Sequence, residues 1–175
     1  MSQLDAISSR LQGMSSAADS ALAGAAAASG VINDAAAQAQ ALGLSEFAGR
    51  INDVGVTIQE LQERVSTLGG AIQEAAAPVG QAAGETELSA VETALSAASQ
   101  AVSALDGDIG AASTLADSAK TDGAAALQGG DAGPLIAALD GVSASLDQLS
   151  ASVSDVTTQI ATVVSGLSSI GSSGN

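Results

Sequence analysis

Carboxylates are the side chains of this sequence with the most obvious capacity for chemistry. The 175 residues include 19 Asp and Glu, but only 4 Lys and Arg and no His or Cys. Asp106 and Asp108 lie close together, and carboxylate oxygens are the ligands that Ca²⁺ and Mg²⁺ prefer. No further oxygen ligands follow at the spacing of a calcium loop, and a di-metal site in a helix bundle would need Glu-x-x-His pairs. We therefore predict no metal site.

Nucleophilic catalysis has no support either. The many Ser residues lack a His or a paired Lys that could act as a base. The Gly-rich segment LQGGDAG, residues 127–133, lacks the Lys of a phosphate-binding loop. The sequence therefore predicts a non-enzymatic protein that binds no cofactor.

The charge balance restricts the partners. A net charge of −15 repels nucleic-acid phosphates and anionic lipid headgroups. Polar residues interrupt both long uncharged stretches, so we expect no integral membrane span. Asp5 and Arg10 precede any apolar run, which differs from a signal peptide. We expect a cytoplasmic protein, or one exported without a cleaved N-terminal signal, with a protein as its partner and a homo-oligomer as an open alternative.

The single aromatic residue, Phe47, lies in the segment GLSEFAG, residues 43–49. One hypothesis is that Phe47 plugs the end of a helical hairpin beside Leu42 and Leu44. The other is that Phe47, Glu46 and Arg50 form a partner-contact site at the bend.

The elements that would position these residues are four long helices. Apolar residues recur in steps of three and four along four stripes, which is typical of heptad-patterned helices. The stripes run from Leu4 to Leu42, Phe47 to Val79, Leu88 to Ala126 and Leu135 to Ile170. The fold class is therefore all-α.

Turn residues set the predicted boundaries. We expect helices over about 2–42, 45–77, 88–127 and 133–170, with a frayed tail at 171–175. Gly43 would close the first helix, Ser45 would cap the second, and Pro78 would end it. These boundaries define one hairpin in residues 1–80, a linker at 81–87 and a second hairpin in residues 88–175.

The two hairpins resemble a duplication. Apolar positions of the first recur in the second at an offset of 84 or 85 residues. Folding the first hairpin about residues 43–45 pairs positions whose numbers total about 87, which places Ala residues of helix 1 opposite large residues of helix 2. The duplicated antiparallel hairpin would form a four-helix bundle or a longer coiled-coil rod.

This hairpin, with a Gly-containing bend and a nearby aromatic residue, resembles the ESAT-like Trp-x-Gly proteins of actinobacterial type VII secretion. Phe47 and Gly49 take the places of Trp and Gly, and the export motif that begins with Tyr has no counterpart because there is no Tyr. The resemblance implies an export substrate or adaptor made of paired hairpins.

Three functions follow as expectations. A coiled-coil protein-protein interaction or scaffold protein is the first. The type VII secretion substrate or adaptor is the alternative. An amphipathic protein that coats a hydrophobic surface is the second alternative.

Overall fold

The computed structural model describes residues 3–172, which form four long helices. They are α1 (Gln3–Ala41), α2 (Ser45–Gly84), α3 (Leu88–Ala126) and α4 (Gly133–Ser172). Each is roughly 60 Å long at 1.5 Å per residue. The all-α prediction is confirmed, and α4 extends two residues beyond its predicted end. The predicted start at Ser2 and residues 173–175 of the predicted tail lie outside the described residues.

The two hairpins pack side by side. α1 packs against α2 and α4, and α3 packs against the same two helices. Short connections make sequential neighbours antiparallel, so the chain is an up-down-up-down four-helix bundle. The elongated rod is therefore wrong, because the apolar stripes of one hairpin are covered by the other.

The predicted stripes form the core. One cluster of buried apolar residues extends through all four helices, and the described residues include no buried polar or charged side chain. Every predicted stripe position of α3 from Leu95 to Ala126 is buried, as is every one of α2 from Ile51 to Val79. Two stripe positions at the ends of helices are exceptions: Leu42 is 75% exposed and Leu88 is 44% exposed.

The predicted register of the first hairpin is confirmed by Gly55. A Cβ added at Gly55 would lie 3.3 Å from Cγ2 of Ile32, and the two residue numbers total 87. The sequence does not predict a close approach between the hairpins at Gly24 of α1. A Cβ there would lie 2.8 Å from Cγ2 of Val142 and 3.3 Å from the carbonyl oxygen of Ala138.

The prediction that α2 ends near residue 77 is wrong, because Pro78 lies inside the helix. Proline removes one helical hydrogen bond and costs about 3 kcal/mol in a helix interior. Val79 and Ala82 are buried beyond it and continue the apolar stripe. Their burial accounts for the continuation of α2 to Gly84, which leaves only residues 85–87 as the linker.

Gly43 closes α1 as predicted, with a positive φ of 74°. The amide of Gly43 donates to the carbonyl of Gln40 at 2.9 Å, and the amide of Leu44 donates to that of Ala39 at 2.9 Å. This pair of bonds is the Schellman motif. The predicted Ser45 cap is wrong, since Leu44 occupies the N-cap position without a side-chain hydrogen bond.

At the second bend, Gly129 also has a positive φ, of 97°. A carboxylate oxygen of Asp131 accepts a hydrogen bond of 3.0 Å from the amide of Gly133, the first residue of α4. Pro134 follows in the first helical turn, where its missing amide hydrogen costs nothing. The first bend therefore closes α1 with backbone hydrogen bonds, and the second starts α4 with a hydrogen bond to the side chain of Asp131.

Three helix interfaces carry exposed ion pairs. Arg10 of α1 meets Asp155 of α4 at 2.6 Å, and Arg64 of α2 meets Asp108 of α3 at 3.6 Å. Lys120 of α3 meets Asp140 of α4 at 3.3 Å. Exposed ion pairs contribute about 0–1 kcal/mol each to the free energy of unfolding. We therefore expect these three to favour one register between neighbouring helices more than to add to stability.

Candidate functional site

The surface that stands out is the end of the bundle at which both bends lie, which we call the bend end (residues 42–47 and 127–134). Leu42 is 75% exposed and Leu44 is 49% exposed. Among the described residues, the other exposed large apolar side chains are Val56 and Leu88, which lie elsewhere on α2 and α3. An exposed apolar patch on an otherwise closed bundle is typical of an interaction site.

A groove of about 370 Å³ runs across the bend end. Leu42, Leu44 and Phe47 line one part of it, together with Val31 and Ala39 of α1. The second bend and the start of α4 line the rest, through the residues Leu127, Gly130, Asp131 and Pro134. The groove therefore lies between the hairpins and needs both of them.

Phe47 lies in the first turn of α2, not in the bend itself. Its side chain is half-buried and packs against the core. The Cζ atom of Arg50 lies 5.6 Å from the centroid of its ring, a cation-π distance. The structure thus brings Phe47 and Arg50 together, while Glu46 is exposed beside them. Both hypotheses for Phe47 stay compatible with this half-buried position.

Arg50 differs from the other cations. Within residues 3–172, Arg10, Arg64 and Lys120 each have a carboxylate within 4.0 Å, and Arg50 is the one without such an ion pair. Arg50 also lines a neighbouring cleft between α2 and α3, together with Asp53 and Asp122. Its positive charge is directed to that cleft and to the ring of Phe47.

The charged side chains that line the groove are both acidic. They are Asp34 on α1 and Asp131 in the second bend, and both are exposed. The last turns of α1 and α3, which also end here, contain no basic side chain. The groove at the bend end is therefore apolar with two acidic side chains in its lining.

Asp106 and Asp108 do not converge on a common point. Asp108 faces Arg64 across the α2–α3 interface, and Asp106 is exposed. In the part of the chain that the structure describes, no group of three or more His, Cys, Asp or Glu side chains is placed to hold a metal ion. Over the same residues, no helix has the length and apolar character to cross a bilayer.

The heptad count predicts that Leu42 lies in the core, but its side chain is exposed. Gly43 is the sequence signal that opposes burial of Leu42, because a residue at positive φ turns the chain away from the helix axis. Leu42 and Leu44 flank this turn and therefore project outward, and they extend the predicted Phe47, Glu46 and Arg50 site toward α1.

The comparison with protein families finds a match in the second half of the chain. Residues 88–172 match the model of a family of unknown function, DUF6244. The match covers α3 and α4, just under half of the chain. No curated protein and no solved structure matches the chain.

Proposed function

We propose that this chain is a non-enzymatic interaction or scaffold protein that contacts a protein partner through its bend end. The observation that carries the proposal is the exposure of Leu42 and Leu44 beside the half-buried ring of Phe47. Solvent exposure of these side chains costs free energy that a partner would recover by covering them. The carboxylates of the described residues are all at least partly exposed, which suits a solvated acidic surface.

The test compares two variants that each remove exposed apolar surface. Leu42→Ser with Leu44→Ser changes the bend end, and Val56→Ser removes an exposed apolar side chain of α2, about three turns away from the bend. Each purified protein is immobilised and exposed to extract from the native cell, and the retained proteins are identified by mass spectrometry. We expect a partner that the wild type and Val56→Ser retain and that the double variant loses. Equal retention by all three proteins would refute the bend end as the contact surface.

Self-association is measured on the same samples. Sedimentation velocity over a range of concentrations separates a homo-oligomer from a partner of different sequence. An oligomer that disappears in the Leu42 and Leu44 double variant would assign the bend end to a second copy of this chain.

Export is a second candidate, favoured by the packing of two hairpins into one bundle. The ESAT-like resemblance implies this arrangement for a pair of hairpin proteins. A tagged copy is followed in culture filtrate of the native organism, with and without its type VII secretion ATPase. ATPase-dependent release would support export, and retention in the cells of both strains would reject it.

A further inference from the structure

The proposed function leaves open what kind of partner segment the bend end binds. The size of the groove restricts the choice. Its volume of about 370 Å³ lies near the lower limit of small binding pockets, roughly 300–1,000 Å³. Along α1 the groove extends from Val31 to Ala39, which is about 12 Å, or two helical turns. A space of this size admits a few side chains from a short segment.

The backbone around the groove favours a helical segment over an extended one. The groove is lined by α1, by the first turns of α2 and α4, and by bends whose backbone groups bond to one another, including the Gly43–Gln40 and Leu44–Ala39 pairs. An extended peptide gains affinity from an unpaired sheet edge, and the described chain consists of helices and their connections. A helix satisfies its own backbone and needs only an apolar stripe for the floor of the groove.

The charges around the groove favour a basic partner. Asp34 and Asp131 line it, and no Lys or Arg does so. The adjacent N-terminus of α2 has Glu46 in its first turn, and that of α4 has the hydrogen bond from Gly133 to Asp131. The C-termini of α1 and α3 have no basic side chain in their last turns. Glu46 and Asp131 thus offset the positive ends of α2 and α4, whereas no basic side chain offsets the negative ends of α1 and α3.

A second copy of the chain fits this surface poorly. It would bring another net charge of −15, with the same Asp34 and Asp131, against an acidic rim. Like charges placed opposite each other at an interface disfavour the complex.

Resting on the proposed interaction function, we propose that the groove binds a short amphipathic helix of a partner protein, with aliphatic residues on one face and Lys or Arg beside them. The aliphatic side chains cover Leu42, Leu44 and the exposed part of Phe47. The basic side chains lie near Asp34, Asp131 and the C-terminus of α1.

The experiment uses the full chain and three fluorescent synthetic peptides of about 14 residues, long enough for roughly four helical turns. The first has Leu at i, i+3, i+4 and i+7 with Lys elsewhere, the second replaces Lys by Glu, and the third replaces Leu by Ser. Binding is measured by fluorescence anisotropy at low and high salt. We expect the Leu/Lys peptide to bind, and the other two to bind at least about tenfold more weakly, because each lacks one half of the complementarity.

Two pairs of variants locate the site. Leu42→Ser with Leu44→Ser removes the apolar anchors, and Val56→Ser is its control. Asp34→Asn with Asp131→Asn removes two charges and keeps an oxygen acceptor for the Gly133 amide, and Glu60→Gln with Glu63→Gln makes the same charge change in the middle of α2. We expect each bend-end pair to weaken binding at least about fivefold and each control to stay within about twofold, because contributions concentrate in a few central residues. Circular dichroism checks that every variant is folded.

The remaining outcomes overturn the proposal. If the Asp34 and Asp131 variant and the Glu60 and Glu63 variant lose peptide binding equally, net charge alone attracts the peptide. If the Leu/Glu peptide binds as tightly as the Leu/Lys peptide, the partner does not need basic side chains. A partner that needs Leu42 and Leu44 but has no basic amphipathic segment would refute the inference and leave the proposed function standing. If every protein and peptide binds the Leu42 and Leu44 variant as tightly as the wild type, both the proposed function and this inference are refuted.

Discussion

Lys120 is the only Lys of the sequence, and the sequence has no Tyr or Cys. Its ammonium group lies 3.2 Å from a carboxylate oxygen of Asp117 and 3.3 Å from one of Asp140. The hydrogen bond to Asp117 is the main cause that raises the pKa of Lys120 above 10.5; burial opposes it, and Asp140 adds to it. Above the pKa of the terminal amine and below that of Arg, Lys120 is therefore the one side chain of the folded protein that titrates.

The direction of the pKa shift gives a pH prediction. Because the folded state holds the Lys120 proton more tightly than the unfolded state, its contribution to stability is complete below pH 10.5 and is lost as the pH rises through the folded pKa. Urea unfolding in steps from about pH 9 to 12 should show this decline for the wild type. Lys120→Met should have a flat profile, and an equal decline in that variant would contradict the assignment.

Phe47→Leu should have little effect on folding. The ring is only half-buried, and its cation-π contact with Arg50 is exposed and worth about 0.5–1 kcal/mol. We expect the free energy of unfolding to fall by no more than about 1 kcal/mol, and by less in an Arg50→Met background in which the contact is already absent. In the larger truncation Phe47→Ala, a loss above about 3 kcal/mol, typical of a fully buried Phe, would show that the ring plugs the core.

At the scale of the helices, heptad spacing predicts which face is buried better than it predicts where a helix ends. The stripe from Leu95 to Ala126 is buried at every position, because a period of 3.5 residues fixes one face without further information. The end of α2 depends on a competition that spacing does not show: the local cost of Pro78 against the burial of Val79 and Ala82. The predicted burial of Leu42 is wrong for a similar reason, since Gly43 turns the chain directly after it.

Glycine substitutions distinguish the helix surfaces that face solvent from those that face another helix. Gly70 of α2 is exposed, and a Cβ there would have nothing within 4 Å, so Gly70→Ala should stabilise the protein by about 1 kcal/mol. Gly24→Ala should destabilise it by a similar amount, because overpacking against Val142 costs about 1–3 kcal/mol. Urea unfolding of both variants measures the difference, and a stabilised Gly24→Ala would show that α1 and α4 are further apart.

At the scale of the whole molecule, the packing between the hairpins is the part that the sequence leaves open. The fold of each hairpin follows from a short bend and from the pairing of small with large residues, which predicts the Ile32–Gly55 contact. The contact between Gly24 and Val142 joins segments separated by a long stretch of chain, and no turn fixes its register. The groove at the bend end depends on the same packing, so the sequence predicts its Phe47 side but not its closure by Pro134 and Asp131.

The continuous core predicts that the two hairpins unfold together. Leu61 of α2 is fully buried in a cluster that includes residues of all four helices. Leu61→Asp would place a carboxylate in that cluster, and breaking a packed layer with an unpaired charge costs several kcal/mol. Circular dichroism should therefore show a loss of helical signal larger than the part that α1 and α2 contribute to it. Hydrogen exchange should show that α3 and α4, which contain no substitution, lose protection as well.

The control places the same charge on the solvent side of α2, at the exposed residue Gln59. Gln59→Asp should melt within a few degrees of the wild type, because a change on an exposed helix surface is usually within about 0.5 kcal/mol. If α3 and α4 keep their protection in Leu61→Asp while α1 and α2 open, the hairpins are independent folding units. The groove between them would then be a contact between two separable bodies, not a fixed feature of one bundle.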